Sequence, residues 1–223
     1  MDRKLFLRAI SRFAAGLLLV GLLLFLPAGT FRYVQGWLFL GILFIPMFAA
    51  GLIMMKKNPG LLRKRLNVRE KETEQREVVL FSGIMFLAVF VSAGLSFRFG
   101  WLMLPLRVSI LASAIFLGAY ALYAEVLREN TYLSRTIEVQ EEQKVIDTGL
   151  YGVVRHPMYM ATVLLFLAMP LVLGASLSFL IMLFYIPIIV KRIRNEEQVL
   201  AEGLQGYEEY RKKVKYRLIP YIW

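Results

Sequence analysis

Residues 149–190 read GLYGVVRHPMYMATVLLFLAMPLVLGASLSFLIMLFYIPIIV. A polar, Gly-punctuated segment runs here into two apolar stretches, 158–173 and 175–190, broken at Leu173-Gly174-Ala175-Ser176. Each stretch falls short of the ~20 residues a helix needs to cross hydrocarbon. Two readings stay open: a pair of short spans, or a tight helical hairpin buried among other helices. Outward toward the N-terminus lie four further apolar segments at 101–124, 78–97, 36–55 and 13–27. The first follows a basic start at Arg3, Lys4, Arg8 and Arg12 and has a signal-peptide look. With more apolar spans behind it, a retained first span is expected. The pattern predicts an all-α, polytopic integral membrane helical bundle.

Composition agrees. The 223 residues are 58% hydrophobic, with a mean hydropathy of +0.60, against ~45–50% apolar in soluble domains. Cysteine is absent and there is one histidine, which excludes disulfides, thiolate catalysis, thiolate metal ligands and a His-rich metal centre; no metal is expected. The net charge of +11 would suggest nucleic acid in a soluble protein. Here its distribution points to a membrane instead. Segments 1–12, 56–77, 126–156 and 191–223 hold 24 of the 27 Lys and Arg, and only Arg32, Arg98 and Arg107 lie on the other side. By the positive-inside rule both termini are expected in the cytoplasm. No nucleic-acid partner is expected, and the basic 56–76 stretch reads as a solvated, headgroup-facing loop.

No Gly-rich dinucleotide fingerprint, P-loop or Gly-x-Ser-x-Gly elbow is present. Candidate chemistry gathers where the polar loop enters the helix. Pro157 suits a first helical position, where its missing N–H costs nothing. Arg155 and His156 then stand beside the free donors of a helix N-terminus, a setting that suits a carboxylate or another anion. The plainer alternative is an interfacial anchor, with Arg and Tyr reaching to headgroups. A second cluster, Lys191-Arg192-Ile193-Arg194-Asn195-Glu196-Glu197, follows the apolar pair. Its ordinary reading is a solvated helix start with ion pairs worth ~0.3–0.5 kcal/mol each. Both clusters emerge at one membrane depth, and polar groups converging there carry more weight than either alone.

At these residues the sequence resembles the isoprenylcysteine carboxyl methyltransferase family and, more broadly, the membrane methyltransferases that include phospholipid N-methyltransferases. The matching pieces are Asn130 through Ser134, Gly149-x-Tyr151-x-x-Val154-Arg155-His156-Pro157-x-Tyr159, Arg192 with Glu196-Glu197, Gly206-Tyr207-x-x-Tyr210, and Val214-x-Tyr216-Arg217-Leu218-Ile219-Pro220. The resemblance covers roughly 105–223 and implies two parts: N-terminal membrane helices with a basic loop at 1–104, and a methyltransferase-like core at 105–223 with a C-terminal cytoplasmic or interfacial catalytic region. It implies an S-adenosylmethionine cofactor held by Val145, Tyr151, Arg155, His156, Tyr159, Met160 and Glu196. It also implies Arg192 and Glu197 as the catalytic pair, with Glu197 orienting Arg192. The sequence departs from the family at Gln143, where a His is common, and at Leu150, where Pro is usual.

The implied acceptor is lipidic or prenylated. A carboxylate acceptor is ionised at neutral pH and suits the two-pronged guanidinium of Arg192. An ammonium headgroup must first lose a proton, and Glu196 or Glu197 is then wanted as a base. Both residue types are present, so the acceptor stays open. Two other readings remain: an NADPH-dependent sterol-type membrane reductase, which shares a similar C-terminal organisation, and a non-catalytic scaffold.

Overall fold

The computed structural model describes residues 3–66, 73–130, 132–133, 139–140 and 142–223, and the side chains of all of these except 64 and 73–78. Thr131, Ser134, Glu138, Glu141 and residues 67–72 of the basic loop lie outside the described residues. The described chain is almost wholly helical. In order come α1 (Arg3–Ala28), α2 (Val34–Lys57), α3 (Pro59–Leu66), α4 (Thr73–Phe99), α5 (Leu106–Glu129), a 3-10 turn (Gly149–Gly152), α6 (Pro157–Val172), α7 (Ser176–Met182), α8 (Tyr185–Gly203) and α9 (Tyr207–Lys213). Hydrocarbon offers no partner for a backbone amide, so each spanning segment must satisfy its own, and helix is the local answer.

Five helices among the described residues are long and apolar enough to cross a membrane: Arg3–Ala28, Val34–Lys57, Val79–Phe99, Leu106–Glu129, and Ser176–Gly203, which joins α7 and α8. The protein is a multi-pass integral membrane protein, as its hydropathy predicts. The bend between α7 and α8 has a local cause. Pro187 has no N–H to give the Leu183 carbonyl, and its ring crowds that oxygen. Leu183 and Phe184 keep helical dihedrals (φ −59°, ψ −25° and φ −64°, ψ −12°), so the rod tilts there instead of ending.

The short α6 is the centre of the bundle. At 16 residues it is only ~24 Å long, yet it links the two ends of the bundle. At its far end the Tyr33 hydroxyl, from the start of α2, donates to the Leu173 carbonyl at 2.5 Å. The Leu104 amide, just before α5, bonds the Gly174 carbonyl at 2.8 Å. Gly174 turns the chain there with φ +69°, a conformation that a side chain would strain. The apolar pair therefore runs along the bundle and turns back at Gly174, as a helical hairpin packed among the other helices. Ala161, Leu165, Ala168, Met169 and Val172 are buried against neighbouring helices, and that protein jacket removes the need to match the bilayer's thickness.

Close packing ties the other helices round α6. Phe39 meets Phe90 and Phe116 at 5.9 Å between ring centroids. Ser178 on α7 donates to the Val89 carbonyl at 3.0 Å and sits 2.8 Å from Ser92 on α4. Gly94 lets α4 cross α1: a Cβ there would lie 2.5 Å from the Leu24 carbonyl oxygen. Small residues at such crossings are how membrane helices gain contact, since lipid supplies no hydrophobic drive between them. At the opposite boundary Asn58 caps α3 by accepting from the Leu61 amide at 3.1 Å, and Arg12 of α1 donates to the Leu66 carbonyl.

Candidate active site

The start of α6 is fixed by the chain's C-terminal segment. The amides of Arg155 and His156 both bond backbone carbonyls there, those of Tyr216 and Arg217, at 2.9 Å. With Pro157 at the first helical position, the N-terminus of α6 is held open toward the polar segment that precedes it.

Two charged centres grow from this anchor. The first is buried. Glu197 of α8 accepts through Oε1 from Arg155 Nε at 2.8 Å and Nη2 at 2.7 Å, with His156 Nε2 at 3.3 Å, and through Oε2 from Arg217 Nε at 2.8 Å. The remaining Arg155 nitrogen, Nη1, donates to the carbonyls of Val214 and Lys215 at 2.7 and 2.9 Å. Glu197, Arg155 and His156 are all buried. Removing one member of such a set strands the others' charge, at a cost of ~3–5 kcal/mol.

The second centre faces a cleft. Arg192 and Glu196, one helical turn apart on α8, flank the hydroxyl of Tyr159: Arg192 Nε donates to it at 3.0 Å, and the hydroxyl donates to Glu196 Oε2. One phenol thus joins a guanidinium to a carboxylate at the cleft wall. The i,i+4 spacing explains why both reach the same spot.

The cleft encloses about 840 Å³, counting its open mouth, within the ~300–1,000 Å³ of small-molecule sites. Of the residues expected from sequence, Val145, Tyr151, Arg155, His156, Tyr159, Arg192 and Glu196 line it. Met160 instead packs on the apolar core, because it stands one position further round α6 than Tyr159. Glu197 lies behind the wall, in the buried centre. Gln143 lines the cleft too, and its side-chain oxygen accepts from the Gln140 amide at 2.9 Å.

Further lining residues belong to the matching motifs but are given no role in the site by the sequence alone. Asn130, just after α5, donates to the Tyr151 hydroxyl at 3.0 Å. Tyr210 of α9 donates to the Tyr151 carbonyl at 2.8 Å. Tyr207 is buried in the wall, and its hydroxyl has no hydrogen-bond partner among the described residues. Burial raises the phenols of Tyr151, Tyr207 and Tyr210 above their ordinary range, so they stay neutral donors at physiological pH. The spacing of Tyr207 and Tyr210, three apart on one helical face, is the signal that marks them in the sequence. Arg217 stands in the closing motif of the resemblance, but only the folded chain brings it to Glu197. At the rim Lys213 bonds Asp147 at 2.6 Å and holds its carboxyl below the usual range.

Comparison with known proteins finds several that this chain resembles. A mouse (Mus musculus) delta(14)-sterol reductase is 34% identical over 91 residues, which is 40% of this chain and 22% of that protein. The chain thus spans about a fifth of the length of that curated relative. The solved structure of the eukaryotic intramembrane Ras methyltransferase ICMT matches with a TM-score of 0.61 at 18% identity, covering 96% of this chain and 77% of that one. It shares the helical membrane fold. The family match begins within α5 and ends near the end of α8, short of the α9 tyrosines and Arg217 that complete the site. Residues 110–202, which include Arg155, Tyr159, Arg192 and Glu196, match the family model of the isoprenylcysteine carboxyl methyltransferase (ICMT) family.

Proposed function

We propose that this protein is a membrane methyltransferase that draws on S-adenosylmethionine and methylates the carboxylate of a lipidic or prenylated acceptor. The observation that carries this is the Arg192–Tyr159–Glu196 triplet, set in a polar cleft against membrane helices. The residues present fit such a donor. Glu196 offers negative charge to a cation, the first-turn amides of α6 suit a carboxylate, and the Tyr207 hydroxyl, with no partner among the described residues, offers a neutral donor. S-adenosylmethionine, when bound, supplies a methyl group already activated on a sulfonium.

What the chain must add is mainly positioning, which is worth up to ~7–11 kcal/mol of a barrier. Arg192 holds the acceptor's carboxylate, and its guanidinium is steadied by the Tyr159 hydroxyl. Glu196, not Glu197, is the acidic partner at the reaction centre. Glu197, with Arg155 and Arg217, is a positioning set that locks α6, α8 and the C-terminal segment together. The excess of Lys and Arg on the cleft side supports a cytoplasmic active site, as in the orientation expected from sequence.

The test uses purified protein, labelled S-adenosylmethionine and a farnesylated cysteine. Base-labile methyl ester is the expected product, with a rate nearly flat from about pH 6 to 8, because the acceptor is already ionised. A rate that climbs through this range with amine acceptors would instead indicate N-methylation, with Glu196 as base. The likeness to a sterol reductase keeps one other reading: NADPH, and not S-adenosylmethionine, would then raise the protein's melting temperature. Absence of methyl transfer to every lipid and prenylated acceptor offered would overturn the proposal.

A further inference from the structure

On the face of α8 turned away from the cleft lies an open, charged hollow of about 610 Å³, counting its mouth, lined by Arg194, Glu197, Gln198, Glu202, Arg211 and Arg217 among others. Its two carboxylates are already engaged: Glu197 is shared between Arg217 and the buried Arg155, and Glu202 accepts from Gln198 at 3.1 Å. Arg211 pairs with the exposed Glu208 at 2.8 Å, while Arg194 is exposed and has no ion pair among the described residues. Arg217 commits its Nε to Glu197, which leaves its terminal nitrogens for a further acceptor. Arg194 stands four residues past Val190, where the apolar run ends, so it lies about 6 Å further along α8. That is headgroup depth, since headgroups add ~5–8 Å to each side of the hydrocarbon. The C-terminal segment stands beside this hollow. Leu218 is buried in the core of the bundle, and Trp223 packs against the same core with its ring centroid 5.4 Å from the Arg217 guanidinium. The Leu218 and Ile219 amides both bond the Trp223 carbonyl, at 2.9 and 3.1 Å, so the segment closes into a hook. Ile219, Tyr221 and Ile222 are turned outward from it, at 44, 88 and 76% exposure. An apolar hook held on a membrane-spanning core, with a guanidinium at its base, has the make-up of an interface anchor.

We infer that this hollow seats the phosphate of an anionic phospholipid, with Arg194, Arg211 and Arg217 around the headgroup and Ile219, Tyr221 and Ile222 against its acyl chains. Charge complementarity selects the ligand: guanidinium forks match phosphate oxygens, and a zwitterionic headgroup brings its own cation to compete with them. The hook selects the source, because free phosphate gains nothing from exposed apolar residues. The seat's place in the fold gives it a consequence. Arg217 touches the hollow and Glu197 at once, and the carbonyls of Tyr216 and Arg217 clamp the start of α6. A bound headgroup therefore ties the C-terminal segment to α8 and steadies the buried centre behind the cleft wall without entering the cleft. This holds whatever reaction the cleft performs.

The experiment titrates the purified protein in neutral detergent with short-chain phosphatidylglycerol, the matching phosphatidylcholine, or inorganic phosphate. Retention is read by native mass spectrometry and stability by the melting temperature. Phosphatidylglycerol is expected to bind about tenfold more tightly than phosphatidylcholine and to raise the melting temperature as its concentration grows. Arg194→Gln/Arg211→Gln is expected to bring its affinity down about tenfold, to that of phosphatidylcholine. The lipid-free melting temperature of this variant should stay close to wild type, because the exposed Arg211–Glu208 pair contributes little. Arg128→Gln, which removes a surface arginine paired with Glu125 on α5 and outside the hollow, is the control and should bind as wild type does. Ile222→Ser is expected to weaken the lipid severalfold.

Phosphatidylglycerol binding that is unchanged in Arg194→Gln/Arg211→Gln, or weakened as much by Arg128→Gln, would overturn the inference, since attraction to the basic surface at large would then explain it. Equal retention of phosphatidylcholine would overturn it too. Inorganic phosphate that raises the melting temperature as far as the lipid does, with Ile222→Ser indifferent, would assign the hollow to a soluble anion instead. Lipid that binds through the two arginines but leaves the melting temperature where it was would keep the seat and overturn its coupling to the buried centre.

Discussion

Successive side chains on a helix are turned by roughly 100°, so Glu196 and Glu197 leave α8 in different directions and meet different neighbours. Glu196 reaches the cleft and the Tyr159 hydroxyl, while Glu197 is enclosed by Arg155, His156 and Arg217. Their substitutions should therefore fail differently. Glu197→Gln is expected to destabilise the protein by ~3–5 kcal/mol, because it leaves buried guanidinium charge uncompensated; thermal unfolding in detergent reads this directly. Glu196→Gln should leave the melting temperature close to wild type and cut kcat/KM by about a hundredfold, a loss of roughly 2.7 kcal/mol in transition-state stabilisation. Arg192→Lys keeps a charge but loses the planar fork. A rise in acceptor KM of about tenfold is expected, with S-adenosylmethionine binding by calorimetry unaltered. The sequence showed that both glutamates were candidates. It did not show which faced the cleft, because that depends on the phase of α8 against α6.

At the scale of elements, α6 shows how a helix too short for the bilayer becomes the pivot of the fold. Its buried face is covered by neighbours, its start is clamped by the carbonyls of Tyr216 and Arg217, and its end is tied to Tyr33 and Leu104. The α1–α4 crossing is similarly constrained. Gly94→Leu forces a side chain onto the Leu24 carbonyl and the Pro27 ring, and a loss of ~1–3 kcal/mol is expected from such overpacking. The measurement is the unfolding midpoint. Gly83→Leu, on the same helix with open space around its Cβ, should be close to neutral. Helix existence was legible from apolar runs alone, and so was the break at Gly174. The bend at Leu183 was also written in the chain, as Pro187 four residues on, but an apolar run of 175–190 hides it.

For the whole molecule, the charge distribution predicts a membrane orientation, and the absence of native cysteine makes it directly testable. Lys57→Cys and Lys212→Cys are expected to react with an impermeant thiol reagent only from the cytoplasmic side, and Arg98→Cys only from the opposite side. Reaction of Lys57→Cys and Arg98→Cys from one and the same side would refute the layout. The solvent is legible in the sequence alone: runs of apolar residues of bilayer length admit helices and little else, and the lopsided Lys and Arg content predicts their orientation. The sequence also determined the half of the chain in which the polar groups gather. The tertiary structure decided which of those groups share a cleft and which are buried struts. It also joined the C-terminal carbonyls and Arg217 to a helix start some 60 residues earlier. Hydropathy and charge act on each segment alone and are readable in order along the chain. Helix phase and long-range contact arise only when separate segments pack.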